Sequence, residues 1–132
     1  MPIVIDTSII IAVVTAEPTR PRLIGAVEGA ELIAPGCLRW EVGNAFSAMF
    51  KRRRISPDAA IAAIDAYLQI PVRLIDVALD RAVRLAARWN LYAYDAYFLE
   101  CARQRRAPLL TLDRSLAATA QAADIDTVEI PR

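Results

Sequence analysis

Three short apolar runs each end in an aspartate, and a helical pattern follows each one. They are Ile3-Val4-Ile5 into Asp6, Val72 to Ile75 into Asp76, and Leu109 to Leu112 into Asp113. Runs this short read as strands, and Ile3-Val4-Ile5, with no polar alternation, reads as a central strand buried on both faces. Glu31 to Ala34, closed by Pro35-Gly36, and Thr127 to Ile130 read as two further strands. Strands that alternate with helices predict an α/β fold with a central parallel sheet of about five strands and helices on both faces. Ligands of such sheets bind at the carboxyl ends of the strands, where these aspartates fall.

The helices carry their own punctuation. Thr7 or Ser8 offers a cap for a helix through Val14, ended by Pro18, and Thr19 to Glu28 reads as a second with Pro21 in its first turn. Cys37 to Arg53 places Leu38, Val42, Ala45, Phe46, Met49 and Phe50 on one apolar face. Ser56-Pro57-Asp58 opens a helix to about Gln69, with a cap, a proline at the first helical position and a carboxylate near the positive dipole end. Val77 to Trp89, Asp95 to Arg106 and Ser115 to Ala123 complete the set. The 132 residues, 56% hydrophobic and 23% charged, suit one globular domain, 1–132.

The chain has no histidine, which removes Ser–His–Asp and Cys–His catalysis and every His-containing metal site. Cys37 and Cys101 form no CxxC and read as two buried thiols in a reducing compartment. None of the four glycines belongs to a phosphate-cradling loop. The net charge of +1 exerts no global pull on nucleic acid, although the bases are one lysine against fifteen arginines. The apolar N-terminus lacks a basic leader and is broken by Asp6-Thr7-Ser8. The expectation is a cytoplasmic chain with no membrane segment.

Asp6, Glu41, Asp95 and Asp113 are the candidate carboxylates. Each aspartate either caps the helix after it or joins a site, and the capping reading is stronger for Asp76. Glu41 lies beside the apolar face of its helix, with Asn44 three residues on. Asp95 lies among Tyr92, Tyr94 and Tyr97. Four carboxylates without histidine or a thiolate set suit a hard cation, Mg²⁺ or Mn²⁺, and phosphoryl chemistry through a metal-activated water. Lys51-Arg52-Arg53-Arg54 is either a solvated helix end or a contact for RNA or an acidic partner; Arg103, Arg105 and Arg106 form a second such cluster.

These residues resemble the PIN-domain ribonucleases, specifically the VapC toxins of bacterial toxin–antitoxin pairs. The matching pieces are Val4-Ile5-Asp6-Thr7-Ser8, Glu41-Val42-Gly43-Asn44-Ala45, Tyr94-Asp95-Ala96-Tyr97 and Leu110-Thr111-Leu112-Asp113. Their order and spacing agree over nearly the whole chain. The resemblance implies a PIN-like three-layer α/β/α sandwich and an endoribonuclease that leaves 5′-phosphate and 3′-hydroxyl ends. It implies a catalytic metal site of Asp6, Glu41, Asp95 and Asp113, with Asp113 the softest transfer. Thr7, Ser8, Asn44 and Thr111 would support the site or contact phosphate. It also implies an RNA substrate, a VapB-like antitoxin and a homodimer.

Two rivals stand beside this reading. A haloacid-dehalogenase-type phosphatase also has an aspartate after its first strand, but it wants a second two residues on, where this chain has Ser8, and a catalytic lysine, for which only Lys51 is available. A non-catalytic PIN-like module would bind RNA or protein without cutting.

Overall fold

The computed structural model describes residues 1–131. Its four parallel strands are β1 (Pro2–Ile5), β2 (Glu31–Pro35), β3 (Val72–Ile75) and β4 (Leu109–Leu110), in the order β3-β2-β1-β4. Val4 pairs with Ile33 on one side and Leu109 on the other, so β1 is central. Ile3, Val4 and Ile5 are all buried, as expected of a strand covered on both faces. Edge strand β3 exposes Arg73 and Leu74, and Arg73 pairs with Glu31 across the edge at 3.5 Å.

Seven helices connect the strands: α1 (Thr7–Val14), α2 (Arg20–Ala26), α3 (Leu38–Lys51), α4 (Pro57–Leu68), α5 (Leu79–Trp89), α6 (Ala93–Arg105) and α7 (Arg114–Ala122). The chain runs from β1 to β2 to β3 in one direction across the sheet, then returns past both to place β4 beside β1. Right-handed crossovers put α1 to α4 on one face and α5 and α6 on the other. The packing agrees: α1 contacts α2, α3 and α4, while α6 lies on β1 and β2 with α5 against it. The reversal makes the β1–β4 boundary a topological switch point, the crevice where parallel sheets bind ligands.

Several details differ from the sequence expectation. The sheet has four strands, not five: Thr127 to Ile130 makes only an isolated bridge from Thr127 to Leu109. Strand β4 stops at Leu110, because the Thr111 and Ser8 hydroxyls take the backbone N–H groups of Asp113 and Leu112. Asp6, not Thr7 or Ser8, caps α1, accepting from the Ile9 N–H at 3.4 Å. Asp76 caps nothing: Gln104 from α6 accepts the Ala78 N–H and donates to the Asp76 carbonyl, both at 3.0 Å. Asp95 is no cap either, since α6 starts at Ala93 and holds Asp95 in its first turn. Ser56 does cap α4, accepting from the Ala59 N–H.

Helix α1 ends tightly. Ala16 follows its C-cap with φ 54°, a left-handed conformation that its Cβ resists. The residue is exposed and makes no packing that a smaller side chain would lose. Ala16→Gly should therefore stabilise the protein by about 0.5–1 kcal/mol, read as a melting-temperature rise of a few degrees in circular dichroism.

Candidate metal centre

The site is built outward from the end of β1. Asp6 is 6% exposed, and its carboxylate accepts from the Ser8 hydroxyl at 2.6 Å and the Thr111 hydroxyl at 2.5 Å. Ser8 in turn accepts the Leu112 N–H, and Thr111 accepts the Asp113 N–H, each at 3.0 Å. These bonds lace the end of β1 to the end of β4 across the switch point. Asp113 follows directly, exposed, and caps α7 by accepting from the Ser115 and Leu116 N–H groups.

Glu41 enters from the first turn of α3 and Asp95 from the first turn of α6, both half-buried. The elements explain the approach: each helix begins at the carboxyl end of the sheet, so its first turn faces the crevice. Of the three tyrosines around Asp95, Tyr92 and Tyr94 are exposed and Tyr97 is half-buried.

The electrostatics show that these groups face one another. Burial raises the Asp6 carboxyl above its ordinary range against the pull of its three hydrogen bonds, and the Asp113 charge raises it further. Burial, with the charges of Asp95 and Asp6, pushes Glu41 up to about 7, although a hydrogen bond from Cys37 opposes the shift. Asp95 is raised by burial and then by Asp113. No arginine or lysine contributes to any of these three shifts. A set of carboxylates that repel one another without a basic counter-charge is matched to a cation.

The donor set is all oxygen, which fits a hard divalent ion. Among the described residues, however, no three of the acidic and thiol side chains converge closely enough to hold an ion as they stand. The carboxylates act on one another at longer range, and closing around a cation requires side-chain adjustment.

The remaining candidates divide. The Thr7 hydroxyl oxygen is buried without a hydrogen-bond partner, a free polar group at the root of the site. Asn44 is exposed, one turn beyond Glu41, with no protein partner among the described residues. The structure does not bring Lys51, Arg52, Arg53 and Arg54 to the carboxylates. All four are exposed, and Lys51 lies ten residues, about 15 Å of helix, beyond Glu41.

Cys37 is the neighbour the sequence reading missed. It is half-buried, not buried, and its thiol donates to Glu41 Oε2 at 3.3 Å. Burial and the adjacent Glu41 charge push this thiol up to about 12, so it stays protonated as a donor. The only sequence signal was the i, i+4 spacing of the pair.

The comparisons with known proteins agree with this architecture. The PIN domain family matches residues 3–122, and the chain belongs to that family. PAE2754 from Pyrobaculum aerophilum superposes with a TM-score of 0.71 at 23% identity, over 90% of this chain and 79% of that one. VapC20 of Mycobacterium tuberculosis, a toxin that cleaves the sarcin–ricin loop, gives a TM-score of 0.67 at 18% identity, over 96% and 98%. VapBC2 from Rickettsia felis, solved on a DNA fragment of its promoter, gives 0.67 at 11%, over 98% of each chain. At these identities the likeness is one of fold. No curated protein matches the sequence, and no helix among the described residues is long and apolar enough to cross a membrane.

The raised Glu41 carboxyl has a measurable consequence. Its folded value of about 7 lies above the ordinary 4.5, so the folded state holds the proton more tightly than the unfolded chain. That contribution to stability is full below pH 4.5 and is lost as pH rises through about 7. In EDTA, the denaturant midpoint should fall as pH rises through this window, and Glu41→Gln should flatten that fall. A midpoint that rises over the window, or a slope unchanged in the variant, contradicts the assignment.

Proposed function

We propose that this chain is a Mg²⁺- or Mn²⁺-dependent endoribonuclease, the toxin of a toxin–antitoxin pair, acting as a single PIN domain over 1–132. The observation that carries the reading is the gathering of Asp6, Glu41, Asp95 and Asp113 about the switch point, where burial and acidic neighbours raise the carboxyls of Asp6, Glu41 and Asp95 with no basic residue among the causes. Membership of the PIN family and the fold likeness to a VapC toxin and a VapBC complex support it.

In this mechanism Asp6, Asp95 and Glu41 would hold the ion, and Asp113 would complete the set directly or through water. A divalent ion held there would supply activation of a water and neutralisation of charge on the phosphate oxygens. Ser8 and Thr111 fix both oxygens of Asp6, so its carboxylate keeps one orientation during binding. Glu41, raised by burial and by its acidic neighbours, would bind the ion or orient the attacking water. Exposed Asn44 would contact the phosphate, and the buried Thr7 hydroxyl would support the site from beneath. The products are 5′-phosphate and 3′-hydroxyl ends. A VapB-like antitoxin holds the enzyme inactive, and the toxin works as a cytoplasmic homodimer.

Asp95→Asn is the cleanest test, because Asp95 accepts none of the hydrogen bonds that brace the strand ends, whereas Asp6 accepts three. Changes around a metal's ligands cost about 10–100-fold, so loss of a ligand should lower cleavage by more than about a hundredfold. Wild type should cut bulk RNA or a structured tRNA with Mn²⁺ and not with EDTA, while Asp95→Asn keeps its melting curve and loses cleavage. If the protein neither cuts RNA nor binds metal in calorimetry, the non-catalytic binding module becomes the better reading.

A further inference from the structure

A groove away from the carboxylates gathers arginines that the proposed chemistry does not use. It encloses about 470 Å³ between α5, the C-terminal half of α6 and the end of α7. Arg81, Arg84 and Arg88 line it from one stripe of α5, at i, i+3 and i+7. Arg103 joins them from α6, and Leu85, Trp89, Ala122 and Ala123 supply apolar lining. Asp124 is the one acidic lining residue.

Three features set this groove apart from ordinary surface charge. Arg81, Arg84 and Arg88 are exposed and take part in no ion pair among the described residues, where the two salt bridges are Arg73–Glu31 and Arg103–Glu100. Like charges three and four residues apart on a helix repel, and the single acidic lining residue, Asp124, stands against four arginines. The groove is also partly preorganised. Arg103 is tethered to Glu100, whose side chain is only 1% exposed, and the Arg88 guanidinium lies 5.5 Å from the Trp89 ring centroid. Finally, the whole chain carries a net charge of only +1, so this concentration of cations is local.

Guanidinium forks match phosphate oxygens, and a cationic groove with an aromatic wall is the usual means of tracking a nucleic-acid strand. The groove shares two helices with the candidate metal centre. Arg103 lies eight residues beyond Asp95 on α6, about 12 Å along the axis, and Ala122 lies nine residues beyond Asp113 at the start of α7. We propose that this arginine groove is a second RNA-contact surface, which grips the phosphate backbone outside the cleaved linkage and lengthens the footprint on the substrate. The inference rests on the ribonuclease reading for its choice of RNA as ligand.

Binding in EDTA tests it apart from chemistry. A labelled single-stranded RNA of about 20 nucleotides, long enough to span a single-strand site, is titrated by fluorescence anisotropy across a salt series. Neutralising three phosphate contacts should reduce the log–log salt slope by about 2 and weaken binding by at least about tenfold. Arg81→Gln, Arg84→Gln and Arg88→Gln combined should show both effects, while Arg20→Gln with Arg22→Gln on α2 should show neither. Wild-type affinity and slope in the triple variant overturn the proposal. So does a polyglutamate peptide that binds the groove while RNA binding ignores the three substitutions, which makes the surface a protein contact. If the triple variant loses RNA binding but wild type cuts no RNA with Mn²⁺, the groove stands and the nuclease reading falls.

Discussion

The Asp6 carboxylate is the joint on which the architecture and the candidate site both depend. It ends the central strand, caps α1, and accepts the two hydroxyls that tie β1 to the segment after β4. A carboxylate so deeply withdrawn from water is costly unless hydrogen bonds compensate it. Three bonds do so in part, yet burial still raises its pKa. The residual cost is the physical argument for a cation: Asp6 is satisfied enough to fold and unsatisfied enough to bind.

From this joint the acids form a gradient of exposure. Asp6 is buried, Glu41 and Asp95 are half-buried, and Asp113 is open to solvent. Asp6 is held by three hydrogen bonds and Asp113 by its cap on α7, while Asp95 accepts no hydrogen bond among the described residues. That matches a centre whose ligands are not yet gathered within binding distance. Spaced in this way the carboxylates avoid the full repulsion of four close charges, and Cys37 adds a neutral donor beside Glu41 that stabilises its ionised form without supplying a charge.

The parallel sheet was legible because its central strands are continuously apolar, and the four acids were legible because they follow those strands or open the neighbouring helices. What escaped was set by contacts distant in sequence. Thr127 to Ile130 has the composition of a strand, but its pairing ends after one bridge to Leu109. Thr7 and Ser8 look like caps, yet Ser8 is drawn to Asp6 and Leu112 and leaves the cap to Asp6. Gln104 takes over the start of α5 from another helix, so Asp76 next to it has nothing to cap. Local propensity ranks the candidates for such roles, and tertiary hydrogen bonds choose among them. The basic run at Lys51 stays exposed at the far end of α3 from Glu41, which sequence could not show because a cluster does not say which end of a long helix faces the site.

The same geometry weighs against the phosphatase alternative. A phosphatase of that type wants a second aspartate two residues after the first, and a catalytic lysine. Ser8 occupies the position where a second aspartate would act as acid and base, and it spends its hydroxyl on holding Asp6 still. Lys51, the lone lysine, lies at the far end of α3 from Glu41. The positions that pattern asks for hold a hydroxyl committed to Asp6 and a lysine that stands elsewhere. What the crevice offers instead is carboxylates without a basic counter-charge, a set matched to a cation once the outer side chains adjust.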